Sequence, residues 1–448
     1  MTTTHLPAES PALTRTATAA LSPAPAERAA PSTWVLASVL AGLTIVEGVR
    51  EGGFWPTDAF VVAIAATVLL VLQVAVDRPD RRGWAVVGSL LVLDVWWLAR
   101  AVTAGPVQTF LPLGASILGF AATFAVAGRL ERRGREVASQ AIAALGAVGA
   151  LVGFAGLIWR WFPMAMPAQG LWRLSTTLTY SDAAGLVLAV CLLVGLASGP
   201  RPWMARVAVC LCAGGLLATQ SRGAYVAFVA GCALVPLRQY RLFLVPLAAG
   251  VALGVVSIMT SPSSHAVPWL AAVIVVAVAV AIAWVPSTEI LRSRRAKQVV
   301  LGCVVVVGLI GSAVVLHHEI GLRALSPSDG DRAVEWSAAA HQFASSPLVG
   351  VGPDRLLQFH AVDGTYAHFA HNEYLQVAAD TGLIGLALLA LVGVSLVRAV
   401  RRVDILTSCA AAGLVCLAVG GAFDFDWHLP FVGLLGGWVA GLATRRST

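Results

Sequence analysis

Residues 58–76 read DAFVVAIAATVLLVLQVAV, and after the opening aspartate no charged side chain interrupts them. In helical geometry such a run rises about 28 Å, close to the ~30 Å of bilayer hydrocarbon. Comparable runs recur from residue 33 to the C-terminus of a 448-residue chain that is 58% hydrophobic and 12% charged. Soluble domains carry about 25% charged residues. The alternation of a barrel strand is not seen; these runs are continuous. The reading is an all-α, polytopic helical membrane protein with about 12–14 transmembrane helices and a long extracytoplasmic loop containing short helices. The predicted spans are 33–49, 58–76, 84–99, 107–127, 138–159, 180–198, 203–218, 224–237, 242–260, 266–285, 298–316, 382–397, 405–423 and 429–444.

The arginines orient these spans. With the N-terminus in the cytoplasm, 22 of the 30 basic residues fall on inner segments, as the positive-inside rule requires. Both termini are then cytoplasmic. The chain divides into a disordered cytoplasmic tail (1–32), a transmembrane bundle of about eleven spans (33–316), an extracytoplasmic loop (317–381), the last transmembrane helices (382–444) and a cytoplasmic tail (445–448). Residues 1–32 are rich in Pro, Ala, Thr and Ser, and the first apolar run starts too late for a signal peptide; it reads as a retained span. Most of the +7 net charge is thus topological, and no nucleic-acid partner is expected. The seven cysteines all sit inside apolar runs without a CxxC, so neither a disulfide framework nor a zinc site is implied.

The interval 323–386 is the one long polar stretch, and six of the nine histidines fall between His317 and His371. Outer arginines are what the positive-inside rule leaves unexplained. Arg173 sits in LWRLSTTLTYSD, Arg222 in TQSRGAY after Ser221, and Arg332 in RAVEW. A guanidinium at a helix end either snorkels to headgroups or meets a phosphate. Arg332, Trp336, Ala339 and Phe343 share one helical stripe, with Asp331 as a candidate N-cap. That stripe sets an arginine toward headgroups or toward a buried anion.

His371 begins HNEYLQVAAD, a predicted helix ending at Thr381–Gly382. The positive end of the helix dipole favours neutral imidazole, which can accept a proton. The competing reading is a loop histidine that only hydrogen-bonds its neighbours. His368, His371 and Glu373 offer metal-ligand types, as do His317, His318 and Glu319, but not in the HExxH order of helical zinc sites. No metal is expected. In DFDWHLP, Asp424 and Asp426 either orient a base, pair with an arginine or form a solvated cap.

Taken in order, these segments resemble the O-antigen ligase/polymerase superfamily, bacterial membrane enzymes that use polyprenyl-diphosphate-linked glycans. The likeness covers roughly residues 170–430 and rests on Arg173, then T-x-S-R-G (Thr219 to Gly223), R-x3-W (Arg332, Trp336), P-L-x-G-x-G (Pro347 to Gly352) and H-N-x-Y-L-x4-D-x-G-L-x-G (His371 to Gly385). Tyr180–Ser181–Asp182 departs from the P-N of many relatives, and fourteen spans exceed the usual twelve or so.

The resemblance implies a glycosyltransferase that moves a glycan from a polyprenyl diphosphate carrier to an acceptor hydroxyl of a lipid, growing polysaccharide or protein. Arg222 and Arg332, with Arg173, would hold the diphosphate without a metal or other cofactor, and His371 would take the acceptor proton. Ser221, Trp336, Asn372 and Asp426 are expected to line the substrate site. The expected location is the cytoplasmic membrane, with the lipid bilayer as partner and the reaction at its outer face. The alternative is a multi-pass transporter of a small solute. That reading calls for ionisable groups near the midplane, where Asp94 is the clearest example.

Overall fold

The computed structural model describes residues 31–168, 170–198, 203–262, 269–284, 330–356, 358–359 and 366–444. The helices are α1 (Pro31–Val49), α2 (Pro56–Val76), α3 (Arg81–Ala104), α4 (Leu111–Ala127), α5 (Arg132–Trp159), α6 (Ser181–Gly195), α7 (Trp203–Ala218), α8 (Arg222–Cys232), α9 (Leu237–Leu242), α10 (Leu244–Met259) and α11 (Trp269–Trp284). After them come α12 (Gly330–Ser345), α13 (Glu373–Ala399), α14 (Ile405–Gly420) and α15 (Pro430–Ala443). Two short antiparallel pairs complete the described elements: β1 (Ala165–Ala168) with β2 (Leu171–Leu174), and β3 (Gln358–Phe359) with β4 (Tyr366–Ala367). The protein is an all-α polytopic membrane protein. Seven described helices are long and apolar enough to cross a bilayer, and several shorter apolar ones pack among them.

Helix α2 shows why the fold needs lipid. One face buries Ala59, Val62, Ala66 and Leu70, yet Phe60, Val61, Ile64, Val68 and Val71 stand exposed on the other. A helix apolar all round is stable only where no face meets water. Helices α4, α6 and α15 sit inside, almost wholly covered by protein.

Close packing of α15 on α4 depends on small residues at every turn. A Cβ on Gly433 would overlap the Ser116 carbonyl, and one on Gly437 would overlap Phe120 and Thr123. Thr123 in turn donates its hydroxyl to the Leu434 carbonyl at 2.9 Å. With no hydrophobic drive between helices in lipid, such contact carries much of the association. Gly437→Ala is therefore expected to destabilise the bundle by about 1–3 kcal/mol, read as a lower Tm of the detergent-purified protein.

A helix stands in thirteen of the fourteen predicted spans; span 298–316 lies outside the described residues, as does the predicted tail except for Pro31 and Ser32, which open α1. Two differences bear on the fold. Helix α8 ends at Cys232, so it rises only about 16 Å and cannot cross the hydrocarbon alone. The chain nevertheless reverses there. A Cβ on Gly250 of α10 would meet Cys210 of α7, and one on Gly254 would meet Leu217, so α7 and α10 run parallel. The turn at 233–236 and α9 link α8 to α10, the Tyr240 hydroxyl of α9 donating to Cys232 O at 2.7 Å. The second difference is at α13, which starts at Glu373 rather than 382 and bends at Gly382 (φ 67°, ψ −163°).

The bend at Gly382 is clasped by residues 347–352. Val351 N donates to Ala379 O at 2.8 Å, Gly352 N to Asp380 O at 3.0 Å, and Leu383 N to Pro347 O at 2.8 Å. These bonds take up the carbonyls and amides that a broken helix leaves orphaned. Trp96 Nε1 donates to Thr381 O at 3.2 Å and Arg100 Nη2 to Gly350 O at 3.0 Å, tying the clasp to α3. Gly350 (φ 71°) and Gly382 occupy left-handed backbone, and a Cβ on either would overlap the opposite strand of the clasp.

Candidate active site

Polar side chains from five parts of the chain meet at one end of the bundle: the β2–α6 segment, the α7–α8 turn, α12, the start of α13 and the α14–α15 connection. The first four pack around the fifth, the stretch Gly421–His428. Asn372 caps α13, its Oδ1 accepting from Leu375 N at 3.0 Å, while its Nδ2 donates to Ala422 O at 2.9 Å. Glu373 N donates to Gly421 O at 2.7 Å. The site is thus held by backbone on one side and by a capped helix on the other.

The arginines are cross-linked by carboxylates. Arg173 Nε donates to Thr219 O at 2.9 Å, and its Nη2 to Asp182 Oδ1 at 2.7 Å. Arg332 Nη2 lies 3.7 Å from Asp182 Oδ2 and 3.4 Å from Asp424 Oδ2, while Nη1 donates to Phe423 O at 2.8 Å. Arg332 therefore faces a buried anion, one of the two readings its stripe left open. Arg222 is exposed at the first position of α8, next to Gly223, which packs on Phe423. Ser221 caps that helix by accepting from Ala224 N at 3.3 Å, and its side chain also bonds Asp182.

Burial, and then the charge of Asp182, push the Asp424 carboxyl up to about 6, against the pull of His371 and Arg332. Tyr180 donates its hydroxyl to both Asp424 oxygens at 2.8 and 2.9 Å; burial and the same carboxylate hold its phenol well above the usual range. Asp426 is buried, and burial followed by the charge of Asp424 drives its carboxyl strongly up.

His371 precedes the helix it was expected to begin, in left-handed backbone (φ 44°). Its Nδ1 lies 2.6 Å from Glu335 Oε2, and the Glu335 side chain is 1% exposed. Burial alone would pull the imidazole pKa down. The Glu335 bond and the charges of Asp424 and Glu335 outweigh it, so the net shift is upward. This corrects the expectation of a dipole-favoured neutral ring, because a carboxylate in contact outweighs a partial charge at a helix end.

Glu335→Gln is expected to lower the His371 pKa and move the acid limb of any His371-dependent rate to lower pH. NMR titration of the imidazole would check it; an unmoved limb would mean that another group sets it.

The remaining candidates separate. Among the described side chains of α12 the buried ones are Glu335 and Ala339, whereas Trp336 is 37% exposed, so the stripe is rotated from the expected one. Asp331 lies within the first turn of α12 rather than before it. His368 pairs with Asp354 at 3.3 Å, His371 with Glu335, and Glu373 with His428 at 3.1 Å, so these ligand types take three separate partners. His317, His318 and Glu319 lie outside the described residues. Asp94 is buried on α3. Below the site Phe425 stacks on Tyr180 (5.3 Å) and Phe369 (4.6 Å), and the His371 ring meets its edge at 5.1 Å.

Sequence reasoning missed Glu335 and Asp182. Glu335 lies one helical turn from Arg332, a spacing that places both on one face. No local signal marks Asp182 as the link between two distant arginines.

Such an arrangement defines a class: a polytopic membrane protein with cations, buried carboxylates and a histidine–carboxylate pair gathered at one end of its spans. Residues 207–390 match the family model described as O-Antigen ligase. The match bears out the resemblance to the O-antigen ligase superfamily and supports an O-antigen ligase or polymerase type of function. It contains Arg222, Glu335, Arg332 and His371, while Arg173, Asp182 and Asp424 lie outside it. No curated protein matches the chain.

Proposed function

We propose that the chain transfers a glycan from a polyprenyl diphosphate carrier to an acceptor hydroxyl at the outer face of the cytoplasmic membrane. The observation that carries the reading is the single network Arg173–Asp182–Arg332–Asp424, with Glu335 and its partner His371 one turn along α12 from Arg332. In the reaction the acceptor oxygen attacks the anomeric carbon, forming the new glycosidic bond. The bond from that carbon to the phosphate oxygen breaks, and polyprenyl diphosphate leaves with the electron pair.

His371 Nε2, with Nδ1 held against Glu335, takes the acceptor proton. The resulting imidazolium is stabilised by the carboxylate already in contact, as in hydrolytic triads. Arg332 and Arg222 meet the diphosphate. In the resting site Arg332 rests on Asp182 and Asp424, so a diphosphate binds by competing with them, and protonation of Asp424 eases the exchange. Arg173 retains Asp182 when Arg332 turns to the donor. Acceptors of three kinds fit this chemistry: a lipid, a growing polysaccharide and a protein.

The test uses purified full-length protein and a polyprenyl-diphosphate-linked oligosaccharide. Acceptor-dependent release of polyprenyl diphosphate supports the reading. No release from folded protein with any acceptor, together with counterflow of a labelled solute in proteoliposomes, would replace it with transport.

A further inference from the structure

At the end of the bundle opposite the candidate active site lies a cavity of about 640 Å³, inside the size range of ligand pockets. It opens between the start of α3, the end of α4, the α13–α14 connection and the end of α15. Four guanidinium-bearing residues line it, Arg81, Arg82, Arg129 and Arg401, against one carboxylate, Asp80. Asp80 is already engaged as the N-cap of α3, accepting from Gly83 N at 2.8 Å. Arg129 is 14% exposed and pairs with Asp77 at 3.2 Å. Arg81, Arg82 and Arg401 are exposed and take no carboxylate partner among the described residues.

Cations are favoured near helix C-termini, and α4, α13 and α15 all end here. That accounts for arginines at this end. It does not account for a cavity between the helices that is lined by these arginines together with Phe124, Ala125 and Ala399. We propose that this cavity binds the phosphate of an anionic phospholipid headgroup. Arg81 and Arg401 come to the cavity from two elements, the start of α3 and the α13–α14 connection, while buried Phe124, Ala125 and Ala399 close its inner side. A basic pocket between the ends of transmembrane helices suits a phospholipid phosphate. The site is separate from the glycan chemistry and would anchor the ends of α3 and α13, the helices joined by the clasp at Gly382.

Native mass spectrometry of the full-length protein, titrated with phosphatidylglycerol and with phosphatidylcholine, tests this. The double variant Arg81→Ala with Arg401→Ala is expected to weaken phosphatidylglycerol retention about tenfold or more, since two cations near the headgroup are removed. The control is Arg132→Ala with Arg133→Ala, which removes equal charge from the same end but outside the cavity, and it should retain the lipid.

Competition with inorganic phosphate identifies the source. Lipid that resists displacement supports the headgroup. Displacement by free phosphate, with a thermal shift lost in the cavity variant, keeps the phosphate site but overturns the lipid assignment. Equal loss in both double variants, or in neither, overturns the site.

Discussion

His371→Ala is expected to lower glycan transfer by about 10²–10⁴-fold, the range of a positioned general base. Folding should survive, since the side chain lies at the edge of the site, 21% exposed, and the Phe423–Phe425 segment is held by backbone bonds that do not involve it. The alanine variant does remove one partner of the buried Glu335 carboxylate. His371→Gln separates the two effects, because its amide can still donate to Glu335 but has no titratable nitrogen. Both variants should lose transfer to a similar extent, measured as polyprenyl diphosphate released per enzyme with donor and acceptor saturating. Activity retained by the glutamine variant would reduce His371 to a scaffold for Glu335.

The raised His371 pKa adds a pH signature. The base must be neutral to act, so the wild-type rate should rise with pH through the elevated imidazole pKa. In His371→Gln the residual rate should lack that limb.

Arg332→Ala is expected to lower kcat/KM by about 10²–10³-fold, the cost of removing one donor aimed at developing negative charge. The carboxylates it leaves behind are not abandoned. Asp182 keeps Arg173 at 2.7 Å, and Asp424 keeps the Tyr180 hydroxyl and sits at about 6, where it can take up a proton. The loss should therefore appear in transfer rather than in Tm. Arg332→Lys should restore only part of it, because an ammonium cannot reproduce the planar fork that meets Phe423 O and a phosphate together. Full rescue by lysine would show that charge alone suffices.

The spans were legible because lipid demands continuous apolar length, and that signal is local. The break at Gly382 was half legible, as a short helix followed by a span, from the Thr381–Gly382 pair. Its clasp by residues 347–352 was not, because backbone-to-backbone bonds leave no side-chain pattern. At the site, Arg222, Arg332 and His371 stood out as polar residues in motif order. Glu335 did not, since hydrophobic periodicity scores a glutamate as outward-facing and took Trp336 for the buried position. A glutamate goes inside only when a partner comes with it, and here His371 arrives from another element. The Arg173–Asp182–Arg332 link joins segments far apart in the chain, a pairing that periodicity cannot report.

The clasp at Gly382 bears on how freely this protein can drift in sequence. Its bonds run from Val351, Gly352 and Leu383 amides to Ala379, Asp380 and Pro347 carbonyls, so any side chain that keeps the backbone path preserves them. Leu348, 64% exposed, and Leu383, 49% exposed, are open to exchange, while Gly350 and Gly382 admit no replacement without moving the loop off the span. A diverging lineage could thus rewrite the surface of this loop while the clasp itself stays fixed.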